Sequence, residues 1–155
     1  MSDEIIASFI GAGATIIAGV IVYILSRNYY KHTKKIEQDR MMKELFTEFN
    51  QRYDRINNKI DKISKLSSDR WKKLKPKKKE RYKGVIIDFF NICAEEYHWH
   101  SEGRINGKIW ASWCKGMNDI FNKSEVIQDI WEKECENEGY RSYYISKKNE
   151  IFKKG

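Results

Sequence analysis

The chain holds a single proline, Pro76, in 155 residues, and neither glycine nor proline occurs between Gly19 and Pro76. Nothing over that stretch is a helix breaker, so a helix entering it has no local reason to stop. Cysteine is scarce as well: Cys93, Cys114 and Cys135, an odd number with no CxxC. That argues against a disulfide framework and against a zinc site, and each thiol falls among apolar neighbours as a core residue does. No segment alternates polar and apolar in the way of a half-buried strand. Walker loops, nucleophile elbows and HExxH are absent, as are RRM, KH and helix-turn-helix signatures. The Gly11–Ala12–Gly13 run lies inside an apolar stretch and is not a phosphate loop.

Acidic residues are short in one half only. Residues 27–83 carry 20 Lys/Arg against 8 Asp/Glu, and residues 84–155 carry 10 against 12, which with Asp3 and Glu4 gives the net +8. The basic half favours anionic partners such as lipid head groups or nucleic-acid phosphates.

What stands before that half is apolar. From Ile5 to Leu25 there is no charge, and a helix of this length reaches across roughly 30 Å of hydrocarbon. A secretory leader needs a positive n-region; here Asp3 and Glu4 come first. The segment reads as an uncleaved anchor. Arg27, Lys31, Lys34 and Lys35 follow it, so the positive-inside rule places the N-terminus outside and the C-terminus in the cytoplasm of a bacterial inner membrane. Ala7, Gly11, Thr15 and Gly19 recur every four residues. Such a stripe lets helices approach closely and supports a homo-oligomer, a dimer or a ring with a lumen. Small residues are also common in membrane helices without that role.

Downstream, Met42, Leu45, Phe46, Phe49, Tyr53, Ile56, Ile60 and Ile63 recur at helical spacing. This stripe packs either on a neighbouring subunit or on the chain's own domain; about three heptads is short for a free coiled coil, which favours the latter. The organisation that follows is an anchor over 1–26, a long juxtamembrane helix over 27–66, a basic connector over 67–83 and a helical core with a tail over 84–155.

The connector concentrates Arg70, Lys72, Lys73, Lys75, Lys77, Lys78, Lys79, Arg81 and Lys83 between and around Trp71 and Tyr82, with Pro76 breaking the helix. Basic residues interleaved with aromatics hold phosphates and stack bases. The same composition suits anionic lipid, and it also suits a solvated linker. These three readings stay open.

Three helices are expected in the core. The first runs from about Lys79 to Ser101 and ends at Gly103; the second starts near Asn106; the third starts after Ser124, a good N-cap, and closes at Gly139. The tail from Tyr140 is rich in tyrosine and weakly helical. The fold class is all-α: an N-terminal transmembrane helix continuing into a long helix, then a compact helical bundle.

Candidate chemistry is sparse. His98 and His100 are two apart and diverge on a helix, so they do not clasp one metal. Glu95 and Glu96 are adjacent and also diverge, which points to a surface charge and a domain contact rather than an acid/base pair. Asn122-Lys123-Ser124 is formally a glycosylation sequon, but the expected topology keeps it cytosolic. Arg27 to His32 fits R-x4-H, the motif of HEPN-type ribonucleases, in which the pair acts on RNA at a helical dimer interface. Topology already accounts for Arg27, so the two are weak catalytic candidates. No metal, cofactor or small-molecule substrate is expected.

Asp88–Phe89–Phe90–Asn91–Ile92–Cys93–Ala94–Glu95–Glu96–Tyr97, then Gly103–Arg104–Ile105 and Trp110–Ala111–Ser112–Trp113, with Glu48–Phe49–Asn50–Gln51–Arg52–Tyr53–Asp54 upstream, resemble small bacterial proteins that join one N-terminal membrane helix to a helical cytoplasmic domain. Within that group the chain is similar to the accessory membrane protein of type VI-B CRISPR systems. That resemblance implies a divergent HEPN-like domain, assembly into a pore, and a role in RNA-guided antiphage defence beside an effector protein. The cytoplasmic core has no R-x4-H, so no nuclease activity carries over. The expected function is a non-enzymatic, self-associating, membrane-anchored accessory or effector protein. The alternatives are a membrane-tethered RNA-binding module and a HEPN-like ribonuclease.

Overall fold

The computed structural model describes the backbone of residues 3–153 and the side chains of residues 13 and 15–153. Among these residues every regular element is helical. The order is α1 (Asp3–Ser64), α2 (Ser68–Lys72), α3 (Pro76–Ser101), α4 (Gly107–Asn122) and α5 (Glu125–Glu134), followed by a 3-10 segment, Glu136–Tyr143. The chain divides into two units, Met1–Lys43 and Glu44–Gly155, and α1 contributes to both.

The first unit corrects one expectation. Among the described residues no helix is long and apolar enough to cross a membrane, so the single-pass anchor, with its outside N-terminus and its inner-membrane location, is not upheld. From Arg27 onward the described part of α1 is dense in charge, with Arg27, Lys31, Lys34 and Lys35 inside three turns, and hydrocarbon does not tolerate such a run. Ala7 and Gly11 of the small-residue stripe lie outside the described side chains. Thr15 and Gly19 are exposed on α1.

The second unit begins inside α1, and here the helix has a buried stripe. Leu45, Phe49, Ile56, Ile60 and Ile63 are all buried, Ile63 completely. The heptad-like spacing therefore serves the chain's own core. α1 ends at Ser64, whose hydroxyl donates to the Asp61 carbonyl.

Local chemistry sets the other helix ends. Pro76 stands in the first turn of α3, where its missing N–H costs nothing and its fixed φ suits the helix; it opens α3 rather than breaking one. Gly103, at φ +68°, supplies the left-handed residue that ends α3, and the Arg104 amide returns to the Trp99 carbonyl at 2.9 Å. Asn106 caps α4, its Oδ1 accepting from the Lys108 and Ile109 amides, both at 3.0 Å. Ser124, 1% exposed, caps α5 by accepting from the Ile127 amide at 3.3 Å.

α5 stops at Glu134, short of Gly139, because the chain tightens into the 3-10 segment, with Asn137 and Glu138 both at positive φ. A Cβ on Gly139 would lie 1.9 Å from the Glu134 carbonyl oxygen. Only glycine fits that approach.

The core is aromatic. Phe121 and Phe152 stack at 4.5 Å, Trp131 meets Phe152 edge-on at 4.9 Å and Phe90 edge-on at 4.9 Å. Phe152 belongs to the tail, so the tail closes the bundle. Asn118 on α4 holds it there: its Nδ2 donates to the Ile151 carbonyl at 3.2 Å and its Oδ1 accepts from the Lys153 amide at 2.7 Å. Trp131 Nε1 adds a bond to the Lys148 carbonyl at 3.2 Å.

Candidate nucleic-acid interface

The basic segment is built on a short helix and the start of a long one. Ser67 caps α2 through its hydroxyl, and Ser68 Oγ donates to Glu125 Oε2 at 2.9 Å, fixing α2 beside α5. Trp71 and Leu74 turn inward and are half-buried. That leaves Arg70, Lys72, Lys73, Lys75 and Lys77 exposed, with no ion pair to an acid among the described residues.

The other four cations have partners. Lys79 Nζ sits 5.7 Å from the Trp71 ring centre, and Lys78 Nζ and Arg81 Cζ sit 5.4 and 6.0 Å from that of Tyr82. Lys83 pairs with Glu134 at 3.4 Å. The two rings thus act as posts for cations. Of the three readings open from the sequence, these contacts bear on the one in which the rings stack bases.

At the centre lies the N-terminus of α3. Lys75 occupies the cap position without a side-chain hydrogen bond, and the first turn contains no acid. Lys77, Lys78 and Lys79 fill that turn instead. A helix N-terminus already carries partial positive charge and unpaired amides. Pro76 has no N–H, and the Lys78 and Lys79 amides return to the Lys75 carbonyl at 2.9 and 3.0 Å, so the pull on an anion comes from the helix dipole and the ammonium groups rather than from a set of free amides.

The remaining candidates are scattered. Arg27 and His32 are exposed on α1 in the first unit, and five helical residues separate them by about 140° around the axis. His100 stacks on Trp110 at 4.6 Å, with Nδ1 at 3.2 Å from the Ile105 carbonyl; it holds the α3–α4 turn. His98 packs 5.4 Å from Tyr144. Among the described residues no cluster of His, Cys, Asp and Glu is arranged to hold a metal. The three cysteines are free; Cys93 and Cys135 are buried, and burial raises both thiols, Cys135 to about 11.

Glu95 and Glu96, expected as a surface charge and a domain contact, divide differently in the fold. Glu95 makes an ion pair with Arg52, as an inter-helix contact should. Its neighbour Glu96 is only 7% exposed, and burial raises its carboxyl to about 8, opposed by the Arg52 charge. The signal available was its helical phase, one turn from the core residues Ile92 and Cys93.

No family model, curated protein or solved structure matches the chain. The family resemblance therefore rests on the residues that carry it.

Proposed function

We propose that this chain is a non-enzymatic accessory protein that holds RNA by its phosphates at the α2–α3 basic segment. The observation that carries the reading is the uncapped N-terminus of α3, with Lys75, Lys77, Lys78 and Lys79 around it and no acid in its first turn. Lys72, Lys73 and Arg70 extend the positive surface onto α2. Because Trp71 and Tyr82 are occupied by cations, recognition is of the backbone and independent of sequence.

Ultraviolet crosslinking of the full chain to a single-stranded RNA, followed by peptide mapping, tests the site. The expected crosslinks fall on peptides from residues 67–83, at the lysines rather than at the Trp71 and Tyr82 rings. Crosslinks confined to other peptides would remove the reading, and transfer of the same surface to anionic vesicles without RNA binding would replace it with a lipid contact.

Self-association belongs to the same proposal, on a separate observation. Ile16, Ile17, Val20, Ile21 and Leu25 on α1 are each exposed by half or more. A contiguous apolar surface of this kind marks an interaction site, and the occupant proposed is a second copy. Thr15 and Gly19 give the close approach. A Cβ on Gly19 meets nothing within 4 Å in the single chain, so Gly19→Leu spares the monomer. Light scattering should show a discrete oligomer that shrinks in this variant; a wild-type monomer would end the idea.

A further inference from the structure

Glu96 lines a cavity of about 250 Å³ in the second unit, walled by Phe49 and Tyr53 from α1 and by Trp113, Met117 and Ile120 from α4. Asn50 and Ser112, both exposed, stand among its lining residues. The Glu96 carboxyl makes no hydrogen bond among the described residues, yet no buried polar atom there lacks a partner. Its oxygens are therefore reached from outside, through the cavity they line.

We infer that this cavity is a binding site for a small organic cation, an ammonium group on an apolar or aromatic body. The carboxyl of Glu96 would take the ammonium, and the rings of Phe49, Tyr53 and Trp113 would take the body. Aromatic rings with one carboxylate among apolar walls form the arrangement that holds such cations.

The local charges support a cation over an anion or a neutral guest. On α1, Arg52 is committed to Glu95 by two hydrogen bonds, and Tyr53 is a neutral phenol raised above its usual range by burial. On α3, Cys93 is raised by burial, and Glu95 belongs to the Arg52 pair. From α4 the lining residues carry no titratable group. Glu48 and Asp88 act on Arg52. Arg52 is the cation that acts on Glu96, and it is already hydrogen-bonded to Glu95. A bound cation adds a counter-charge of its own, and binding then releases the carboxyl proton.

The test is a titration of the isotope-labelled full chain with benzylammonium and with its neutral counterpart, benzyl alcohol, followed by amide chemical shifts. Benzylammonium should saturate shifts around Glu96 and Trp113. Its affinity should rise by up to about tenfold per pH unit between about pH 6 and pH 8, as binding displaces the Glu96 proton. Glu96→Gln, which keeps the shape, should abolish that pH dependence and weaken binding roughly tenfold or more.

Gly116 lines the cavity on the α4 side, and a Cβ there meets nothing within 4 Å. Gly116→Leu should therefore fill the cavity and abolish binding while the helix persists. The inference is overturned by equal binding of benzyl alcohol, by affinity indifferent to pH and to Glu96→Gln, by binding that survives Gly116→Leu, or by no saturable shift with either compound.

Discussion

Arg52 on α1 and Glu95 on α3 form a two-pronged ion pair, with Nη2 donating to Oε1 at 2.8 Å and Nη1 to Oε2. Arg52 also lies 5.9 Å from the Phe49 ring, so one side chain ties the charged face of α1 to its buried stripe. Both partners are part-exposed, at 27% and 33%, which screens the pair. Arg52→Met should cost about 1–2 kcal/mol in urea unfolding, with a coupling to Glu95→Gln of the same order. The same change should raise the Glu96 carboxyl further, because the Arg52 charge is what lowers it. A double-mutant cycle showing no coupling would contradict this account.

Glu96 makes stability depend on pH with an unusual sign. Its folded value is about 8 against an ordinary 4.5. Between those values the folded state holds a proton that the unfolded state has lost. The stabilisation is therefore fully present below about pH 4.5 and declines as pH rises toward about 8, by several kcal/mol at most. Glu96→Gln cannot ionise. It should match wild type near about pH 5 and exceed it in melting temperature near about pH 9. Parallel wild-type and mutant curves across that range would contradict the burial of a protonated carboxyl.

Phe152 should be a major support of the bundle despite its place near the chain end. It contacts Phe121, Trp131, Phe89 and Phe90 and is 2% exposed. Phe152→Ala should destabilise by about 3–5 kcal/mol. A loss below about 1 kcal/mol in chemical denaturation would mean that the tail does not close the core.

The all-α class and several helix ends were legible because they depend on local chemistry: Ser124 as a cap, a helix start near Asn106, Gly103 as a stop, and the spacing from Leu45 to Ile63. The insertion of Phe152 was not. Ile151 and Phe152 are two apolar residues among lysines, too few for any periodic signal, and their burial depends on Asn118, more than thirty residues away. Glu96 was hidden for a similar reason. Adjacent glutamates look alike in a sequence, and only the packing of α1 and α4 makes one an ion-pair partner and the other a buried acid. The basic segment was visible as composition, whereas its uncapped helix terminus and its cation-covered rings are properties of the fold.

The most direct measurement is the affinity of fluorescently labelled single-stranded RNA for the full chain as a function of salt, for wild type and for Lys72/Lys73/Lys75/Lys77→Ala. The account predicts that wild-type affinity falls steeply between about 50 and 200 mM salt, with log K linear in log salt. The variant should bind more weakly and with a shallower slope, losing about 0.7 per phosphate contact removed. A variant that binds with wild-type affinity and slope, or a wild-type protein that does not bind at the lower salt, would contradict it.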